Sequence, residues 1–338
     1  MHATIIASLA ALAVAAPAVE KRQAAPPPAG VNDATILQYA LTLEHLENAF
    51  YREGLQKFKQ ADFVKAGLAP SFYNNLQQIK KDEQVHVDFL SAGLTAAGAQ
   101  PVAECRYNFG FKDVPTFLAI ANVLEGVGIS AYLGAAKYID SPDYLTAAGS
   151  ILTIESRHSA YLRENQNPAK SPFPSPFDTP LEFSNVKSLA APFITGCPTA
   201  PSSLTLLAGF QAFPTIAVTP AGVAKSGATL SLKVAKKVAA TNAWFITSAG
   251  AVPARLTGSG SSYKVVVPTI GVPNLQPGTV NAGQGYLVLT KDANKPTDDN
   301  TVAGPAVIDL ADNAFGRAAD KATYGGSSYK APAKPKGY

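Results

Sequence analysis

The sequence predicts an α+β multidomain chain: a four-helix bundle followed by a small all-β, sandwich-like domain. Between residues 33 and 165 apolar residues recur at helical spacing in four long segments, each opened by a capping signal. From about 204 to 312 the pattern changes to short runs rich in Val, Ile, Thr and aromatic residues, set apart by Gly, Pro, Asn and Ser. The length of 338 residues suits about two domains, and 47% apolar residues can fill a sizeable core.

The first helical segment opens with Asp33 as N-cap and repeats apolar residues at Ile36, Leu37, Ala40, Leu41 and Leu43. The second opens at Ser71, after Pro70, and runs to about Gly98. In the third, Asp113 precedes Pro115, and proline in a first turn fits a helix start. Ser141-Pro142 opens the fourth, which runs through "ILTIESRHSAYLREN". About three residues separate the third segment from the fourth, so these two are antiparallel neighbours. The second and third are joined by "AQPVAECRYNFGFK", which reaches roughly 46 Å when extended. A 24-residue helix is about 36 Å long, so this connection can cross the whole bundle.

Taking the bundle as 30–166, the next stretch, 167–203, is rich in proline and is expected to be an extended linker lying on the bundle. In the β region, 204–312, the runs "TIAVT", "TLSLKV", "AWFIT", "YKVVV" and "GYLVLT" read as strands of a small sandwich. It contains no histidine and no catalytic triad, and Trp244 reads as core. Residues 313–338 read as a disordered basic tail.

The N-terminus reads as a leader. An apolar run from Ala3 to Ala16 is followed by small residues suited to cleavage, and Lys21-Arg22 resembles a dibasic processing site of the fungal kexin type. Residues 1–22 are therefore expected to be signal peptide and propeptide of a secreted protein. Losing Glu20, Lys21 and Arg22 lowers the formal charge of +4 by one, too mild a balance to argue for nucleic acid. Past the leader no stretch is apolar for about 18 residues, so no membrane span is expected. Cys105 and Cys197 are the two cysteines, and in a secreted chain they most simply form one disulfide; two buried free thiols are the alternative.

The chemistry lies in the helices. The second contains Glu83 and His86, the fourth Glu155 and His158, each as Glu-x-x-His. Residues three apart share a helix face, so both side chains can grip one ion. The first and third carry Glu44 with Tyr51 and Glu125 with Tyr132, seven residues or about two turns apart. The four acids all sit near mid-helix, hence at one level of the bundle. Buried without cations they would repel and protonate; with two divalent ions they become ligands. Carboxylate plus imidazole suits iron or manganese. By composition alone, Glu three before a given His has a chance below about 7%, and both pairs together below about 0.5%. Six residues are therefore candidate metal ligands and catalytic residues: Glu44, Glu83, His86, Glu125, Glu155 and His158.

His45 points about 100° from Glu44 and reads as packing or second-layer support rather than a ligand. Glu47, one turn on, is an additional or alternative ligand. Tyr51 and Tyr132 are either partners of ligand carboxylates or core residues with satisfied hydroxyls. Gly126 and Gly128, beside Glu125, leave room for a small oxidant or allow close helix packing.

This ligand pattern is that of ferritin-like dimetal carboxylate proteins. Moreover, "ILQYALTLEHLENAFYREGL", the two Glu-x-x-His helices and "PFDTPLEFSNVKSLAAPFITGCP" resemble the secreted fungal ferritin-like proteins, often labelled stress-response, late sexual development or desiccation-related. The resemblance covers about residues 30–200 and implies a ferritin-like four-helix bundle. Two function classes follow. One is a dimetal oxidoreductase holding two iron or manganese ions and acting on dioxygen, peroxide or ferrous iron, with ferroxidase, catalase-like or peroxidase chemistry. The other is a non-enzymatic secreted cell-wall or stress-protection protein with a structural metal or a vestigial site. Closed-shell iron storage is disfavoured by the attached sandwich.

Overall fold

The structure is a computed structural model that describes residues 27–198, 209–269 and 282–310. The expected leader, 1–22, and tail, 313–338, lie outside the described residues, as do 204–208 and 270–281 of the β region.

Helices α1 (Asp33–Lys57), α3 (Pro70–Ala96), α4 (Val114–Ala136) and α5 (Pro142–Glu164) form the bundle, with a short α2 (Gln60–Lys65) between the first two. The cap of α1 is Asn32 rather than Asp33. Its side chain accepts the Thr35 N–H at 3.0 Å, while the Thr35 hydroxyl accepts the Asn32 N–H at 2.9 Å. Asp33, in the first turn, instead accepts the Asp140 and Ser141 N–H groups at 2.8 and 3.0 Å, tying α1 to the start of α5. Helix α3 starts one residue earlier than expected, with Pro70 as its first residue, where a missing N–H costs nothing. Asp113 and Ser141 cap α4 and α5 as anticipated. A six-residue helix such as α2 shows no periodicity; it exists to bury Phe63 against Phe72, Tyr73 and Phe117.

The crossover from α3 to α4 is stitched along α1. The Gln38 amide donates to the Gln100 carbonyl and its oxygen accepts the Val102 N–H. Further along, Arg52 pairs with Glu104. The crossover strand β1 (Arg106–Tyr107) pairs antiparallel with β2 (Ile194–Gly196), and a disulfide joins Cys105 to Cys197. Helix α4 is long and apolar enough to cross a membrane by length and composition, but 78% of its apolar window is buried within the protein, as befits a core helix.

The segment after α5 departs from expectation. Eleven residues without proline separate Pro180 from Pro192, and they form helix α6 (Phe183–Ala190) rather than an extended strap. Phe183, Val186 and Ala190 are buried against the bundle. The Leu181 N–H donates to the Ser130 carbonyl of α4 at 3.0 Å, and a Cβ at Gly134 would overlap the Leu181 carbonyl. Gly134→Ala is therefore expected to destabilise the fold by about 1–3 kcal/mol, the usual range for overpacking, seen as a lower Tm. An unchanged Tm would mean that the Leu181 segment does not sit on α4.

The β region is a two-sheet sandwich. One sheet has the order β4 (Val223–Ala224), β10 (Thr301–Leu310), β9 (Gly283–Thr290), β6 (Asn242–Thr247), β7 (Gly250–Ala254); the other is β3 (Ile216–Thr219), β5 (Thr229–Val238), β8 (Leu256–Val266). Leu230, Leu232, Val234 and Val265 face Phe245, Leu287, Leu289 and Ile308 across it. The five anticipated strands are present. Strand β10 is hidden in the sequence because Gly304-Pro305 interrupts its alternation, and its pairing with β9 shifts register there. Strand β9 is buried on both faces. Leu287 and Leu289 enter the sandwich core, while Tyr286 enters the core of the bundle. Its hydroxyl lies 2.7 Å from Ser130 Oγ, and Gln284 packs over Gly126.

Candidate metal centre

Each bundle helix contributes one glutamate to the same level. Glu44, Glu83, Glu125 and Glu155 are fully buried, and His86 and His158 nearly so. Their donor atoms form two overlapping groups: Glu44, Glu83, His86 and Glu155 in one, and Glu83, Glu125, Glu155 and His158 in the other. Within each group all donors lie within 4.8 Å of one another. His86 Nδ1 is 3.2 Å from Glu44, 3.2 Å from Glu155 and 3.4 Å from Glu83. His158 Nδ1 is 3.0 Å from Glu83 and 3.4 Å from Glu125.

The six candidate ligands thus stand together, in a refined arrangement. Helical spacing alone pairs Glu83 with His86 and Glu155 with His158. In space Glu83 and Glu155 belong to both groups, leaving Glu44 beside His86 and Glu125 beside His158. Both tyrosines reach across the bundle. Tyr132 of α4 donates to Glu44 of α1 at 2.5 Å, and Tyr51 of α1 donates to Glu125 of α4.

Residues 32–168 match the ferritin-like domain family. Protein rds1 of Schizosaccharomyces pombe is 29% identical over 180 residues, 53% of this chain and 42% of that protein, so the match spans less than half of the relative. Residues 32–168 are a ferritin-like domain. Among solved structures, a conserved hypothetical protein, rv2844, from Mycobacterium tuberculosis is similar over 38% of this chain and 87% of its own, at 19% identity and a TM-score of 0.32. The S-layer protein rSbsC(31-844) covers 82% of this chain and 45% of its own, at 9% identity and a TM-score of 0.15. Neither likeness is close enough to carry an argument.

The electrostatics of the ferritin-like domain fit a cation site. Glu83, Glu155, Glu125 Oε2 and His158 Nδ1 are buried with close ion-pair contacts but no well-aligned hydrogen bond on these atoms. Buried polar groups are normally well paired, so a convergence of carboxylate lone pairs met only in this way marks where cations fit. Burial, then the neighbouring Glu155, pushes Glu83 up to about 7. Glu155 is raised by burial and then by Glu125 and Glu44. Burial opposes charge on His158, yet the Glu125 and Glu83 carboxylates push it up to about 12. Burial opposes charge on His86 as well, yet the adjoining Glu155, Glu44 and Glu83 carboxylates raise it. Burial and then their glutamate partners keep Tyr51 and Tyr132 neutral, so they remain donors. The donor set suits a cation, carboxylate and imidazole being ligands for iron or manganese.

Three neighbours complete the picture. The ring of His45 turns away: Nε2 donates to the Val102 carbonyl at 3.0 Å, helping to fasten the crossover. Glu47 is buried, and burial followed by Glu155, Glu83, Glu44 and Glu125 raises its pKa, but it belongs to neither donor group. Asp82 was not singled out in the sequence. Its carboxylate lies 3.4 Å from His158 Nε2, the nitrogen facing away from the glutamates, and can orient that ring. Adjacency to Glu83 was the available signal, but the partner is on another helix.

Proposed function

We propose that the ferritin-like domain holds a carboxylate-bridged pair of iron or manganese ions and uses it on dioxygen, peroxide or ferrous iron, in a protein secreted by a fungal cell for stress or development. The observation that carries this reading is the sharing of Glu83 and Glu155 between two four-donor groups, which suits two adjacent ions rather than one. Glu44, His86 and the shared acids would hold one ion; Glu125, His158 and the shared acids the other. Bound there, such ions would supply the two electrons that dioxygen or peroxide accepts. The chain's own residues do the rest. Tyr132 and Tyr51 fix the two unshared carboxylates, Asp82 orients His158, and the apolar residues around them exclude bulk water. The Cys105–Cys197 bond supports an oxidising compartment.

Metal analysis of protein exposed anaerobically to ferrous or manganous ion, then desalted, tests the reading. Two ions per chain are expected, and His45→Ala should leave that number unchanged. Background metal in the wild type would remove the centre and leave a partner-binding role for the domain.

A further inference from the structure

A cavity of about 160 Å³ opens between α1, α4 and the α6 segment. Its rim is Leu189 and Phe193, both partly exposed, beside exposed Pro192; Leu46 and Val127 line it deeper and are buried. The lining is apolar with one exception, the buried Glu47. Gly128 forms part of the same wall. A Cβ placed there would lie 2.8 Å from Glu47 Oε1 and 3.5 Å from Glu155 Oε2. The bare backbone at Gly128 is therefore the thin partition between the cavity and a carboxylate shared by both donor groups. Any larger residue would close it.

We propose that this cavity is the path by which dioxygen reaches the metal centre, an inference that rests on the dimetal reading above. Its walls favour a small non-polar molecule. A hydrated cation or an anion would exchange water for carbon on nearly every side, and burying an uncompensated charge is unfavourable. Hydrogen peroxide would find one polar partner, Glu47, where water offers it many. On the opposite, α3–α5 side, the one-third exposed carboxylate of Asp82 lies beside His158 and offers the polar surface that a cation would meet first. The α6 segment supplies the outer wall, which explains why a helix is laid across this face of the bundle.

The test pairs a metal-independent readout with a kinetic one. Crystals of the metal-free full chain pressurised with xenon should show xenon in the cavity of the wild type and none in Leu189→Trp. In solution, Leu189→Trp loaded anaerobically with ferrous ion should hold as much iron as the wild type and oxidise at least tenfold more slowly on mixing with dioxygen. Oxidation by hydrogen peroxide should change less. Val127→Phe, which fills the inner end, should give the same pattern and serves if the first variant does not fold. The proposal is overturned by an empty wild-type cavity, by wild-type dioxygen rates in a variant that excludes xenon, or by slowing of peroxide alone. Xenon in the cavity of a chain that takes up no iron overturns it too, and places the failure in the dimetal reading rather than in the cavity.

Discussion

Glu155→Ala is expected to empty both metal positions at once, whereas His86→Ala should empty only one. Glu155 belongs to both donor groups, and its Oε1 lies 3.2 Å from His86 Nδ1. Without it each group falls from four donors to three, and the two proposed ions would lose one of the carboxylates shared between them. Bound metal should drop from two ions per chain to background in Glu155→Ala and in Glu83→Ala. His86→Ala should keep about one, on Glu125, His158 and the shared acids. Loss of fold is checked separately: the metal-free Glu155→Ala protein should keep the helical circular dichroism of the metal-free wild type. One ion retained by Glu155→Ala would instead make Glu44 and Glu125 the bridging pair.

The second large effect is of pH, and it should have opposite signs with and without metal. In the folded metal-free chain Glu83 titrates at about 7 instead of 4.5, chiefly through burial. Between those values the folded state holds a proton that the unfolded chain has released. This contribution is complete below about 4.5 and is lost as pH rises through 7, a difference on the order of 3 kcal/mol. The raised imidazoles of His86 and His158 act in the same sense: their contribution is complete below the ordinary histidine value and lost as pH rises through the raised one. Metal-free protein should therefore melt higher at pH 5 than at pH 8. Cations must displace these protons, so uptake should release protons and strengthen with pH. Loaded protein should melt higher at pH 8, with metal content approaching two ions per chain there and falling to background near pH 5. Parallel melting curves at the two pH values, with and without metal, check both signs; metal-independent curves would contradict them.

The parts of this protein that were legible in its sequence are those governed by neighbours in the chain. Helix starts at Asp113 and Ser141 depend on side chains within three residues, and the two Glu-x-x-His pairs declare a shared face through helical spacing alone. Equal depth along four helices then brings Glu44, Glu83, Glu125 and Glu155 to one level. Other features needed the tertiary structure. Which acids are shared depends on how α3 and α5 are rotated about their axes, and spacing along one helix carries no information on rotation relative to another. For the same reason Asp82 could not be matched with His158, nor Tyr51 with Glu125. Helix α6 was obscured by the prolines around it and is held by a bare backbone at Gly134. Tyr286 looks like any strand residue until β9 is seen to face two cores at once. Local sequence determined the candidate ligands and the helices that carry them. Packing decided how they group and which cavity lies beside them, because each is set by distances between atoms far apart in the chain.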